Sequence, residues 1–459
     1  MSGGYEATIA AFDRRMAGYI PPRSAWTPVD EAVYGPPDPF RVPEAEARRL
    51  RLAAIRYSFT RHYEQNRFYH RLCSEHGFAP RHLRGPGDLA RVPMLPDRLF
   101  REYPPGRDFA LWLGNLFSGE LPRIVVAKAD PGPDAVLEAF RRAGLEIAFS
   151  SGTSGRLKFV PRDRPTFLAL QYTFMKSVVA MLYPHWDRRA HVYLMMPDPR
   201  RTALYAGRSC EAFFSAFDQV RVGLDRAVSA GQVRAAMGGG GGVRGMIARS
   251  LARRGTRRLV ADVTRWLESR EKGGEKIALV GPPFVLAAVM DRLQREGRAF
   301  AFGERAMIGT GGGWKTHEGR RLPLADFRAR VERTLGIPGR LCLDGYGMVE
   351  SNAFMVHCPE GHYLHVPHSF FEPLVLDNDQ RPLPRGEWGR FAFLDASAAS
   401  FPGFILTGDR ARLLERCPAC DRPGPVLDPE VRRLDGEEAR GCAEEVRRLL
   451  AADLGGRRE

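Results

Sequence analysis

The amino-acid sequence predicts an α/β protein with a largely parallel sheet. From about Gly144 onward, apolar runs of strand length alternate with longer runs of helical periodicity, which is the pattern of successive βα units. The stretch from Glu372 to Leu414 changes character, to shorter strand-like runs broken by turns. The 459 residues suffice for one large α/β domain or two smaller ones.

Taken in order, residues 44–80 read as helix, because apolar residues recur at helical spacing until Gly77 and Pro80 end the run. Strands are expected at 146–149, 191–196, 277–280, 306–308 and 341–343, and helices at 165–181, 245–268 and 284–297. The five glycines at 238–242 read as a flexible loop. They lack the Lys-Ser/Thr that completes a P-loop.

The formal charge is +15, and almost all of the positive charge is arginine: the six lysines are Lys128, Lys158, Lys176, Lys272, Lys276 and Lys315. An arginine-biased composition explains most of this. The functional counterpart is attraction of anions such as ATP, coenzyme A or an acidic carrier protein. Zinc-finger spacing, an aromatic RNA motif and a lysine-rich tail are all missing, so nucleic acid is not expected as a partner. The first twenty residues carry Asp13 and two arginines where a secretory leader would be apolar. The longest apolar run, 277–290, is broken by Gly281, Pro282 and Pro283. A cytoplasmic protein without a membrane span is expected.

Three stretches carry candidate chemistry. Ser150, Ser151, Gly152, Thr153, Ser154 and Gly155, with Arg156, Leu157 and Lys158 after them, follow a strand. The segment is expected between that strand and a helix. Its backbone N–H groups and hydroxyls suit an anion, with Lys158 as a point charge; an ordinary Gly/Ser turn is the competing reading. The second stretch is Asp344-Gly345-Tyr346-Gly347-Met348-Val349-Glu350, just after a strand. A carboxylate there is placed to hold Mg²⁺ against phosphate oxygens, and a tyrosine can stack on a purine. The third is Thr407-Gly408-Asp409, where a carboxylate in a turn can accept both hydroxyls of a ribose.

In this order and spacing the three resemble motifs of the adenylate-forming superfamily: its phosphate loop, its Tyr-Gly-x-Thr-Glu motif and its Thr-Gly-Asp motif. Gly311, Gly312 and Gly313, followed by Trp314 and Lys315, stand where that family places an adenine-binding Gly-Gly segment. Two of its groups look closest, the phenylacetate–CoA ligase-like enzymes and the acyl-protein synthetases of the bioluminescence fatty-acid reductase system. The second is favoured by the Gly-Gly-Gly-Trp-Lys run, by Val92-Pro93-Met94-Leu95-Pro96 with Leu99-Phe100-Arg101, and by Arg440-Gly441-Cys442. The resemblance spans roughly residues 50 to 445.

It implies a large α/β AMP-binding domain at 1–410, with mixed and parallel sheets flanked by helices and a small β-rich subdomain. A shortened C-terminal segment at 411–459 stands in place of the superfamily's mobile domain. It also implies an enzyme, an ATP-dependent acid–thiol ligase. A fatty or aromatic acid is activated as an acyl-adenylate with ATP and Mg²⁺, then passed to a thiol. The acceptor is the chain's own Cys442, coenzyme A or a carrier protein, and a reductase is a candidate partner. Phosphates would lie at Ser150–Gly155, Mg²⁺ at Glu350, and adenine at Gly311–Gly313 with Asp344, Tyr346, Gly347 and Met348. The ribose would lie at Asp409 and the acid near Phe213, Phe214 and residues 172–175. The sequence departs from the family where Val349 replaces a threonine, and no lysine follows Lys315. Lys158, Arg410, Arg412 or a partner would then supply the catalytic positive charge. A nucleotide-binding protein without turnover is the alternative these departures favour.

The cysteines divide into three groups. Cys417 and Cys420 form a CxxC knuckle, and Cys358 and His365, with His362 as the alternative nitrogen, sit on an expected hairpin about sixty residues upstream. Together they suit a closed structural zinc site. Cys442 lies at an expected helix start beside Arg440, which favours a thiolate, while Glu444 and Glu445 oppose it. By the resemblance it is the acyl acceptor; an inert cysteine is the other reading. Cys73, Cys210 and Cys342 sit in apolar patterns and read as core.

Overall fold

The computed structural model describes residues 2–151, 156–182, 186–225, 227–234, 242–314, 319 and 321–434. Fifteen strands are found among them: β1 (Leu95–Pro96), β2 (Glu146–Ser151), β3 (Leu157–Arg162), β4 (His191–Pro197), β5 (Gln219–Leu224), β6 (Ile277–Gly281), β7 (Ala306–Gly311), β8 (Cys342–Tyr346), β9 (Met355–His357), β10 (Leu364–His365), β11 (Phe371–Leu376), β12 (Trp388–Asp395), β13 (Phe404–Leu414), β14 (Val426–Leu427) and β15 (Arg432–Arg433). Thirteen of them form one sheet, in which β5, β4, β6, β7 and β8 run parallel. Beyond β8 the sheet turns antiparallel through β9, β10, β14, β13, β12 and β11.

The inner parallel strands β4 and β6 are apolar and buried along most of their length. His191–Pro197 is buried along its centre, and Ile277, Ala278 and Leu279 are buried in β6. The helices Gly242–Gly273 and Pro283–Arg295 pack against each other, and the first also reaches β4 and β5. Pro283 opens its helix at the first position, where a missing N–H costs nothing. Every strand and helix expected from the sequence in this region is present, with ends shifted by a few residues. Residues 44–80 hold two helices, Glu44–Gln65 and Arg67–Glu75, divided at Asn66, whose side chain accepts from the Tyr69 N–H and caps the second.

One expected element has a different role. β2 is not part of the parallel sheet; it pairs antiparallel with β3, Ser150 opposite Lys158 and Ser151 opposite Leu157. The hydroxyl-rich segment therefore joins two strands, not a strand and a helix. The run Leu-Lys-Phe-Val-Pro-Arg is buried at every position, and a two-sided burial pattern has no alternation to betray a strand. The division drawn at position 410 falls inside β13, whose residues Leu413 and Leu414 pair with β14 while Asp409 and Arg410 pair with β15. Among the described residues, no helix is long and apolar enough to cross a membrane.

Candidate active site

The carboxyl ends of β7 and β8 lie side by side, Thr310 opposite Asp344 and Gly311 opposite Gly345. In open α/β sheets such strand ends are where ligands bind. Beyond β7, Gly312 and Gly313 both take left-handed backbone conformations, with φ of 77° and 64°. Side chains would strain that turn, so the chain there presents bare backbone. Gly347 is held for a different reason: a Cβ on it would stand 2.9 Å from the Phe354 ring and 3.3 Å from the Tyr205 hydroxyl. Asp344 accepts a 2.7 Å hydrogen bond from Thr310 Oγ1, and burial raises its carboxyl above the usual range. Met348 is half-buried in the turn, its carbonyl accepting from the Ser351 N–H.

Lys158 extends from β3 into the same region and is 5% exposed. Its ammonium donates to Asp97 Oδ2 at 2.8 Å and to Glu350 Oε1. Burial alone would discharge it, but Glu350 and Asp97 outweigh that and hold it above the ordinary lysine value. Burial likewise opposes the Asp97 charge, yet Lys158 and Arg101 keep that carboxyl below its usual range. Glu350 is fully buried, and its second oxygen, Oε2, has no hydrogen-bond partner among the described residues. A buried carboxylate oxygen left open in this way fits a hard cation.

Asp409 stands across from this group on β13, at 7% exposure. Tyr346 donates its hydroxyl to Asp409 Oδ2 at 2.7 Å, and Arg433 of β15 pairs with Oδ1 at 3.0 Å. Burial still raises the Asp409 carboxyl despite both partners. Of the cations expected to serve the chemistry, only Lys158 reaches these carboxylates. Arg410 is exposed, and Arg412 is drawn off by Asp428 and the Trp388 ring. The charge that does arrive, Arg433, was not singled out from the sequence, nor was Asp97.

Behind Glu350 lies a buried polar frame. Arg162 Nη2 donates to the carbonyls of Val349 at 2.7 Å and Ser351 at 3.2 Å, and its Nε donates to Asn352 at 2.9 Å. Asp395 Oδ2 accepts from Ser351 Oγ at 2.7 Å and from the backbone N–H groups of Asn352 and Ala353 at 2.7 and 3.0 Å. Burial pushes the Arg162 guanidinium down to about 10, against Tyr205, Asp395 and Glu350. The turn that carries Glu350 is thus fixed by groups that no local pattern reveals.

The aromatic residues expected near an acid substrate separate. Phe174 packs on Phe354 at 4.5 Å and on Phe213 at 6.1 Å, and so joins the motif through the ring beneath Gly345 and Gly347. Tyr172 instead packs at a tilt against Tyr34 and donates to Asp13, while Phe214 lies under the Arg200 guanidinium.

At the other end of β13, the Sγ atoms of Cys358, Cys417 and Cys420 and a ring nitrogen of His365 all lie within 4.8 Å of one another. The Cys358 and Cys417 sulfurs are 3.8 Å apart, and Cys420 Sγ is 3.3 Å from His365 Nε2. Two sulfurs each about 2.3 Å from a tetrahedral zinc would be about 3.8 Å apart, far beyond a disulfide's ~2.05 Å. The Ala419 N–H donates to Cys417 Sγ at 3.4 Å, as a knuckle requires. His362 is not in the cluster. It sits in a left-handed turn at φ 60°, and its ring faces His357 at 5.9 Å between centroids. Cys73, Cys210 and Cys342 are buried, and burial pushes each thiol up to about 12, as expected of core residues. Gly152, Thr153, Ser154, Gly155, Lys315, Arg440, Gly441 and Cys442, and the side chain of Ser151, lie outside the described residues.

Among solved structures, 2-hydroxyisobutyryl-CoA ligase in its postadenylation state, with 2-HIB-AMP, aligns over 86% of this chain and 70% of its own, with a TM-score of 0.59 at 15% identity. The open form of that ligase with 2-HIB-AMP and CoA aligns over 86% and 76%, with a TM-score of 0.57 at 16% identity. The fold is that of the adenylate-forming enzymes. Within it, residues 258–451 match the family model described as acyl-protein synthetase, LuxE. The long-chain-fatty-acid–luciferin-component ligase of Vibrio harveyi is 30% identical over 174 residues, 38% of this chain and 45% of its own. That of Aliivibrio fischeri is 29% identical over 187 residues, 40% and 49%. The chain resembles these acyl-protein synthetases, and its matches span about half of their length. Asp344, Tyr346, Glu350, Asp409 and the Cys/His cluster fall within the matched span of this adenylate-forming fold; Asp97 and Lys158 precede it.

Proposed function

We propose that this chain activates a carboxylic acid with ATP and passes the acyl group to a thiol. The observation that supports this most is the meeting of Lys158, Glu350, Tyr346 and Asp409 beside the bare turn Gly311–Gly313 at the carboxyl ends of β7 and β8. A substrate carboxylate oxygen attacks the α-phosphorus of ATP; the new O–P bond forms as the bond to the β-phosphate oxygen breaks, and pyrophosphate carries the charge away. A thiolate then attacks the acyl carbon, the C–O bond of the mixed anhydride breaks, and AMP leaves. Placement and charge neutralisation dominate such transfers.

Ser150–Gly155 would cradle the leaving phosphates, with the Lys158 ammonium beside them. Gly311–Gly313, Asp344, Gly347 and Met348 would border the adenine and Tyr346 would pack on it, while Asp409 would take the ribose hydroxyls. Magnesium, when bound with the nucleotide, neutralises phosphate charge, and Glu350 with its open Oε2 is the residue to hold it. Arg433 would add a second fixed charge beside Asp409. The acid would lie along Phe174, Phe213 and Phe354. Cys358, His365, Cys417 and Cys420 would hold zinc as a structural clip that ties the segment from 411 onward to the sheet. Cys442 is the proposed acceptor, with coenzyme A or a carrier protein as the alternative thiols; a reductase would then draw the acyl group from the acyl-enzyme.

The test is the intact mass of the protein after incubation with Mg²⁺, ATP and a panel of fatty and aromatic acids, without coenzyme A. A hydroxylamine-labile adduct of acyl mass that vanishes in Cys442→Ser establishes the self-acylating reading and names the acid. AMP formation that requires an added thiol moves the acceptor to coenzyme A or a carrier. No pyrophosphate release with any acid leaves a nucleotide-binding protein without turnover.

A further inference from the structure

His357 stands between the Cys/His cluster and the two carboxylates, Asp344 and Asp409, proposed to border the nucleotide. It ends β9 and is fully buried. Its Nδ1 accepts from the Arg328 guanidinium at 3.0 Å and from the Asp344 backbone N–H at 3.3 Å, and its Nε2 lies 3.1 Å from the Pro429 carbonyl. The first two partners can only donate and the third can only accept, so the ring is the neutral tautomer with its proton on Nε2. One imidazole thus joins β8 to the chain that returns from the cluster. That chain leads to Asp409. Before Pro429 it is held by the Asp428–Arg412 pair and by β14, which pairs with β10 and β13. After Pro429 it forms β15, whose Arg433 pairs with Asp409 Oδ1 at 3.0 Å, and the Leu434 N–H then donates to the Gly408 carbonyl at 3.1 Å.

The strands on this path are too short to hold themselves. β9 has three residues, and β10, β14 and β15 have two each, against roughly five or six in an ordinary strand. The cluster crosslinks three of them: Cys358 follows β9, His365 lies in β10, and Cys417 and Cys420 precede β14. Consecutive side chains on a strand point to opposite faces. Cys358 can therefore give its sulfur to the cluster while His357 gives its ring to Asp344 and Pro429. Where a metal joins such strands, its binding energy becomes folding energy of the strands it joins. We infer that His357 is the positioning residue that couples the Cys/His cluster to the nucleotide site: its bond to Pro429 seats β15 and so sets Arg433 on Asp409. The inference rests on the nucleotide and metal sites proposed above. The metal state of the cluster is then felt at the ribose carboxylate, and by linkage nucleotide raises metal affinity by the factor that metal raises nucleotide affinity. A ring that only filled space would be indifferent to which of its two nitrogens was replaced.

The experiment compares wild type, as purified and after chelation, with His357→Gln and His357→Asn. The glutamine amide reaches the Nε2 position and can still donate to Pro429. The asparagine amide reaches only the Nδ1 position and can still accept from the Asp344 N–H. Two readouts need no turnover: residue-resolved hydrogen exchange at the Leu434 amide, and the dissociation constant of ATP by calorimetry. In His357→Asn, with metal content unchanged, Leu434 should exchange about tenfold faster or more, and ATP should bind about five- to tenfold more weakly. His357→Gln should stay near wild type in both. Chelation of the wild type should reproduce the His357→Asn changes, and saturating ATP should tighten metal binding by the same factor. Equal behaviour of the two variants, an unmoved Leu434 exchange in His357→Asn, or a wild type that takes up no metal overturns the inference. Should neither variant fold, Arg328→Gln decides: it removes one donor that fixes the ring, faster Leu434 exchange supports the coupling, and unchanged exchange overturns it. A wild type that binds metal but no ATP counts against the proposed function instead, because Leu434 exchange still confirms or overturns the seating of β15.

Discussion

The Tyr346 hydroxyl donates to Asp409 Oδ2 at 2.7 Å, joining the strand end after β7 and β8 to β13 across 63 residues of chain. Burial raises the Asp409 carboxyl, although Arg433 and Tyr346 both favour its charge. A carboxyl raised in the fold is worth more protonated than ionised. Its charge therefore costs stability at any pH above the unfolded value, and the cost is relieved as pH falls through the folded value.

Asp409→Asn should therefore leave the melting temperature at neutral pH unchanged or raised, while the KM for ATP rises about 10- to 100-fold through loss of charged hydrogen bonds to the ribose. Calorimetry and exchange kinetics on one preparation check both. A large fall in stability with unchanged KM would assign Asp409 to the scaffold.

Glu350→Gln should lower pyrophosphate exchange by at least about 10²-fold and raise the Mg²⁺ needed for half-maximal rate. The folded protein should remain, since the amide still accepts from Lys158. A magnesium titration of the exchange rate reads this. An unchanged magnesium requirement would place the cation elsewhere.

Elemental analysis should find about one zinc per chain, from three thiolates and one imidazole. A strong chelator should lower the melting temperature, and Cys417→Ser or His365→Ala should do so without it, whereas His362→Ala should retain the metal. Metal-free protein with an unchanged melting temperature would reduce the cluster to four packed side chains.

Acid should find a weak point at Asp97. Its carboxyl is depressed in the fold, so it stabilises above the unfolded value near 3.8 and loses that contribution as pH falls through the lower folded value. Lys158 runs the other way: its raised value keeps its contribution below about 10.5 and surrenders it as pH rises through the folded value. Wild type should thus show a broad stable plateau, and Asp97→Asn a narrower one on its alkaline side, in melting temperature measured across pH.

Arg162→Met should destabilise the chain by about 3 kcal/mol or more, because Asn352 and the Val349 and Ser351 carbonyls would be left buried without their donor. Denaturant titration measures it. A loss under about 1 kcal/mol would show the frame to be redundant.

The sequence by itself determined the parallel sheet, its helices, the order of the candidate stretches around Ser150, Asp344 and Asp409, and the donor set of the Cys/His cluster. These are written in local spacing: apolar periodicity, glycines in a turn that bars side chains, a CxxC knuckle. It also narrowed the imidazole to two candidates. Tertiary structure chose His365, because β10 pairs with β14 and brings that residue to the knuckle, while His362 is spent in a left-handed turn. Tertiary structure alone decided that β2, which ends at Ser151, pairs antiparallel with β3, which carries Lys158, that Arg433 and not Arg412 faces Asp409, and that Asp97, 61 residues before Lys158, shares its ammonium with Glu350. Burial and ion pairing are properties of a place, not of a stretch of chain. A buried charge survives only where distant strands deliver its counter-charge, and no window of sequence contains that information.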